Sequence, residues 1–190
     1  MRVKDERKIE VIYEATLHLI QEVGIAGITV AKIAKEAKLA TGTVYIYFKN
    51  KEELINQLYL HLKKQTTENL FVGFDPAEPI KVCMKKLFVN ALKNKMASFK
   101  EGVFMEQYYH SPYISQEAKQ IGQTKMLPII ELMERGKQEL LIKPIENEVL
   151  LGLMAGFVRQ LAQAHIVQKF EMTSERIEHS FQVIWDAMKA

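Results

Sequence analysis

Apolar residues recur along this chain at steps of three and four, the spacing that lays one stripe down a helix. Ile9, Ile12, Tyr13, Thr16, Leu19, Ile20 and Val23 make the first stripe, and Gly24 and Gly27 end it. Thr29 is placed to cap a second helix of about two turns, with Ile33, Ala34 and Ala37 turned inward. Residues 41–54, TGTVYIYFKNKEEL, then set Val44, Tyr45, Ile46, Tyr47 and Phe48 side by side before the sequence becomes charged. Asn50 and Glu53 read as a capping box that opens a fourth helix, striped by Leu54, Ile55, Leu58, Tyr59 and Leu62.

Beyond a linker-like patch at 71–79 the same pattern predicts helices over 76–94, 97–109, 115–136, 147–168 and 174–188. Asp75, Pro76 and Glu78 signal the start of the first of these, as cap, proline in first position and acid in third. Ser111–Pro112 and Lys143–Pro144 mark loops, and Pro128 predicts a kink inside the long helix. No strand-like alternation and no internal repeat is present. The fold class is therefore all-α with about nine helices. A three-helix helix-turn-helix domain is expected over 1–50, and a larger helical domain over 51–190, entered through a connector helix at 51–70.

Composition narrows the setting. The 190 residues are 48% apolar and 26% charged, an ordinary folded chain. The lone Cys83 forms no internal disulfide, the charged start MRVKDERKIE lacks the apolar core of a secretory leader, and the longest apolar run ends after ten residues at Arg159. A membrane span needs about twenty. The expected location is cytoplasmic, with no membrane partner. Net charge is +3, and residues 1–51 carry nine Lys/Arg against six Asp/Glu while the remainder is balanced. A basic lobe on a neutral body points to a polyanion. His18, His61, His110, His165 and His179 lack metal-ligand spacing, and no nucleophile triad or phosphate loop occurs. The chain is expected to be no enzyme and to need no cofactor or metal.

Three short helices ahead of a longer one describe a helix-turn-helix, whose second paired helix lies in the major groove. Val44 and Phe48, four apart, would face the first helix, leaving Thr41, Thr43, Tyr45, Ile46 and Tyr47 outward or sideways. Taken alone, two tyrosines beside Val and Phe read as core; the order of elements around them favours DNA. Residues 8–58 resemble the DNA-binding domain of the tetracycline-repressor-like (TetR/AcrR) transcriptional regulators. The resemblance is carried by Ala15, Leu19, Gly24, Gly27, Thr29, Val30, Ile33, Ala34 and Ala37, and then by every residue from Gly42 to Leu54. Two positions depart from it: Lys38 stands where a turn glycine is usual, and Ala40 replaces a serine cap. Each costs about 1 kcal/mol. The resemblance implies that Thr41, Thr43 and Ile46 face bases, with Gly42 letting backbone approach DNA. It implies phosphate contacts at Tyr45, Tyr47, Lys51, Thr29 and Lys32. The implied partner is a double-stranded, pseudo-palindromic operator.

The remaining helices suggest a sensor. The 147–168 helix is apolar almost all round: Leu150, Leu153, Met154, Phe157 and Leu161 on one face, and Gly152, Ala155, Gly156 and Arg159 on another. Small residues admit a close neighbour, so this second face, with Phe181 and Ile184 of the last helix, is expected to form a homodimer interface. Phe88, Phe104, Met105, Tyr108, Tyr109, Met126, Met154, Phe157 and Trp185 are expected to line a cavity for an unknown small-molecule effector. The expected function is a ligand-responsive repressor. The alternative is an all-α small-molecule-binding or enzymatic module that does not touch DNA.

Overall fold

The structure, a computed structural model, describes residues 5–190; residues 1–4, with part of the basic N-terminal run, lie outside it. The described residues form ten helices: α1 (Glu6–Gly27), α2 (Val30–Glu36), α3 (Thr41–Tyr47), α4 (Lys51–Leu70), α5 (Ile80–Ala97), α6 (Phe99–Tyr109), α7 (Gln116–Thr124), α8 (Leu127–Gln138), α9 (Asn147–Val167) and α10 (Ser174–Met188). The helix expected over 115–136 is two. Pro128 sits in the first turn of α8, where its missing donor breaks no bond, so it opens a helix rather than kinking one. The helix expected from residue 76 begins at Ile80. Asp75 Oδ1 accepts from the Ala77 N–H at 2.9 Å and so caps a turn, while Pro79 precedes the helix itself.

The helices divide into two compact units, and the division is not the expected one after residue 50. One unit runs to Lys64 and takes in Lys100–Ile121; the other comprises Gln65–Phe99 and Gly122–Ala190. The first is larger than a helix-turn-helix because α4 buries Leu54, Ile55, Leu58, Tyr59 and Leu62 in the same core as Ile12, Ile20, Ile33 and Val44. Phe104, Tyr108 and Ala118, from α6 and α7, complete that core. Thr16, buried in α1, returns its hydroxyl to the Ile12 carbonyl at 2.7 Å, so this hydroxyl is not stranded.

In the second unit α5 supplies Met84, Leu87, Phe88 and Leu92, α8 supplies Ile129, Leu132 and Met133, and α9 supplies Leu150, Met154, Val158 and Ala162. Phe181, Ile184, Trp185 and Met188 of α10 close it. Each such large apolar side chain contributes roughly 1.5–3 kcal/mol on burial. The polar positions of α5 have a separate task. Asn94 donates to the Thr66 carbonyl at 3.0 Å, Asn90 to those of Leu70 at 3.0 Å and Val72 at 2.9 Å, and Lys86 to that of Gly73 at 2.7 Å. Residues spaced by four on one helix thus hold carbonyls of the last turns of α4 and of the following loop, the orphan carbonyl of Leu70 among them. Arg135 of α8 holds the carbonyls of Pro76 and Glu78 in the same loop.

By length and apolarity alone α9 could cross a membrane, contrary to the ten-residue run read from the sequence, and most of that stretch is not buried in its unit. Leu150, Met154, Val158 and Ala162 nonetheless seat one side of it in the second core. The opposite side leaves Val149, Gly152, Leu153, Ala155 and Arg159 exposed.

Candidate nucleic-acid interface

The recognition segment takes its shape from α2. Thr29 caps α2 by accepting from the Lys32 N–H at 3.2 Å. At the other end the Leu39 N–H reaches the Ala34 carbonyl and the Lys38 N–H reaches that of Lys35, the paired bonds of a Schellman ending. Lys38 occupies the left-handed position of that ending, with φ 54°. The turn is therefore built in the glycine geometry without glycine, as the departure at this position implies. Leu140 and Lys169 adopt the same conformation after α8 and α9.

α3 follows at Thr41. Ala40, extended at φ −67° and ψ 142°, supplies no side-chain cap, and its carbonyl instead accepts from the Thr43 N–H at 2.8 Å. Val44 and Phe48 are buried, the Phe48 ring lying 5.8 Å from that of Tyr13 on α1. The other side is open: Tyr45 is 52% and Ile46 58% exposed, and Thr41 and Gly42 are exposed with them. Tyr45 therefore belongs to the surface rather than the core. Thr43 and Tyr47 are half-buried, Tyr47 beside Phe48 at 6.5 Å. A Cβ at Gly42 would meet no protein atom within 4 Å, so nothing in the fold crowds this side of α3.

The expected phosphate lysines are partly engaged. Lys32 Nζ donates to the Gly27 carbonyl at 2.9 Å; Lys51 Nζ donates to that of Ala26 at 3.2 Å and lies 5.1 Å from the centre of the Tyr113 ring. Both tie off the end of α1. Asn50 caps α4 as expected, accepting from the Glu53 N–H at 2.8 Å, while the Glu53 carboxylate takes the Lys49 N–H.

Two further supports escaped the sequence reading. α1 breaks at Gly24, whose φ of 70° and ψ of 166° are non-helical, and the freed Ile25 N–H donates to Gln107 Oε1 of α6 at 2.9 Å. Tyr108, fully buried, donates its hydroxyl to Asn56 Oδ1 of α4 and accepts from the Ser115 N–H, while its ring stacks on Tyr59 at 4.3 Å. Burial pushes the phenols of Tyr59 and Tyr108 up, and burial followed by the nearby Glu10 carboxylate pushes Tyr13 up to about 12. A phenol with a raised folded value holds its proton more tightly than the unfolded chain, whose phenols titrate near pH 10. This contribution is complete below pH 10 and is lost as pH rises toward 12. The first unit is expected to unfold through that window, ahead of the second, in an alkaline titration followed by circular dichroism and Trp185 emission.

The nine residues expected to line one cavity are divided between the two units. Phe104 and Tyr108 are core of the first unit with Met105 packed against them, and Tyr109 is exposed. Phe88, Met154 and Trp185 are core of the second unit, flanked by Met126 and Phe157. The reason is that α6 uses its bulky face to fill the space beside α4. Within the second unit an open cleft of about 490 Å³ is lined by Phe71, Phe74, Pro76, Pro128, Glu131, Leu132 and Arg135. The expected interface also changes. Gly152, Ala155 and Arg159 are exposed and Gly156 half-buried, but Phe181 and Ile184 are buried in their own core. Between them Val183, 61% exposed, is a large apolar residue that α10 presents outward.

Residues 12–58 match the family model described as bacterial regulatory proteins, tetR family, and residues 79–189 match that of the tetracyclin repressor-like C-terminal domain. The chain belongs to the TetR family. It is a helix-turn-helix transcriptional regulator, in a family of DNA-binding proteins rather than enzymes. An uncharacterized HTH-type transcriptional regulator of Haemophilus influenzae is 39% identical over 70 residues, 37% of each chain. The HTH-type regulator YhgD of Bacillus subtilis is 24% identical over 155 residues, covering 82% of this chain and 73% of that one. Among solved structures, a TetR family transcription regulator from Marinobacter aquaeolei superposes with a TM-score of 0.89 at 26% identity, covering 100% of this chain and 99% of the other.

Proposed function

We propose that this TetR-family regulator works as a cytoplasmic homodimeric repressor that leaves a pseudo-palindromic operator when a small molecule binds its second unit. The observation that carries the reading is the open side of α3, where Thr41, Gly42, Tyr45 and Ile46 lie exposed opposite a buried Val44 and Phe48. Thr41, Thr43 and Ile46 read base edges, Thr29, Tyr45 and Tyr47 hold phosphates, and Lys32 and Lys51 add charge from the end of α1. Two such helices in successive major grooves stand roughly 34–36 Å apart.

Pairing through α9 and α10 is supported by exposed Val149, Gly152, Leu153 and Ala155 together with Val183. Sensing by the second unit is supported by the cleft beside Phe71 and Phe74, at the end of α4, the helix whose other end enters the DNA-binding core. An effector that prefers one arrangement of α4 changes operator affinity by that difference in binding free energy. Selection of bound fragments from random genomic DNA, with sedimentation of the free protein, tests this. Recovery of one palindromic sequence by a dimer supports it; a protein that enriches no DNA at low salt sinks it.

A further inference from the structure

Resting on that reading, we infer that Lys38 and Lys49 form a pair of phosphate contacts bracketing α3, additional to the positions that the family resemblance assigns. Lys38 lies three residues before the first residue of α3, and Lys49 two residues after its last. Both are exposed, and neither ammonium has an ion pair or hydrogen bond among the described residues. Lys32 and Lys51, in contrast, each donate a hydrogen bond to a carbonyl at the end of α1. Lys38 and Lys49, which the resemblance leaves without a role, are thus free to meet a phosphodiester backbone at the two ends of α3.

Position 38 gives the inference a clean test because its backbone is left-handed, with φ 54°. Glycine fits there without strain, so folding gains nothing from a lysine beyond a weak attraction to the end of α2. Leu140 and Lys169 share this φ after other helices, so the backbone does not itself call for an anion; what marks Lys38 is an exposed, unpaired ammonium three residues ahead of α3. Lys49 is restrained differently. Its N–H is held by the Glu53 carboxylate, which fixes the backbone between α3 and α4 and leaves the side chain unengaged.

The test measures affinity against salt for the operator recovered by selection and for an unrelated duplex of equal length. The proteins compared are the parent, Lys38→Gly, Lys49→Gln and a charge-matched control, Lys119→Gln, an exposed lysine of α7. Each lost phosphate contact flattens the slope of log affinity against log salt by about 0.9, so a variant's deficit shrinks about 3.5-fold per head between 50 and 200 mM salt. Lys38→Gly and Lys49→Gln are expected to weaken both duplexes alike with that flattening, while Lys119→Gln is not. Lys38→Gly is expected to melt about 2–4 °C higher than the parent, so that its weaker binding is not explained by unfolding. A Lys38→Gly protein that is more stable and keeps the parent slope overturns the inference, as does equal flattening by Lys119→Gln. A parent that binds neither duplex overturns the reading as a DNA-binding regulator; a parent that binds with a steep slope shared by both variants overturns only this pair.

Discussion

Tyr108→Ala is expected to unfold the DNA-binding unit while the Phe88–Phe181–Trp185 core of the other unit stays intact. Tyr108 is fully buried, stacks on Tyr59 and lies 5.8 Å from Phe104. Removing a buried aromatic ring typically costs about 3–5 kcal/mol, a large share of the roughly 5–15 kcal/mol that holds a domain together. Tyr108→Phe separates the ring from the hydroxyl. It keeps the packing but strips Asn56 Oδ1 and the Ser115 N–H of their partner, which costs about 1–3 kcal/mol. Denaturant titrations should show far-UV ellipticity falling in an early phase with Trp185 emission unchanged. If Tyr108→Ala folds normally and only blunts the response to an effector, the residue belongs to a sensing site and its placement in the first core is wrong.

The second large effect falls on recognition alone. Ile46→Ala should leave stability within about 0.5 kcal/mol, since the side chain is exposed and alanine is the better helix former. Affinity for the selected operator should drop roughly tenfold to a hundredfold, the scale of one good base contact, with little change on unrelated DNA. Val44→Ala, two positions away and fully buried, should do the reverse and lower the melting temperature. Binding isotherms on both duplexes, beside melting curves, separate the two. Equal loss on operator and unrelated DNA for Ile46→Ala would remove Ile46 from the base-reading set.

The head was legible in the sequence wherever local rules decide the outcome. The four-residue step from Val44 to Phe48 correctly divides the recognition segment, the Asn50–Glu53 box opens α4, and the missing turn glycine reappears as a left-handed Lys38. What was not legible depends on contacts between distant segments. Gln107 meets Ile25 across 82 positions, and nothing near either residue announces the other. Periodicity finds the stripe of Phe181 and Ile184 on α10 without saying whether its own core or a twin covers it. The structure buries Phe181 and Ile184 in their own core and leaves Val183 exposed. For the same reason the bulk of α6 read as a cavity wall, although Phe104 and Tyr108 support the head.

The split into two units also sorts the chromophores. All seven tyrosines, at positions 13, 45, 47, 59, 108, 109 and 113, fall in the DNA-binding unit, and the single tryptophan, Trp185, falls in the other. The protein therefore carries two built-in optical labels, each confined to one half. Red-edge excitation near 295 nm, selective for indole, is silent about the head, whereas tyrosine emission and tyrosinate absorbance are blind to the second unit. Ligand and DNA can thus be followed on the unmodified chain at the same time, with the order in which the two signals move giving the direction of communication.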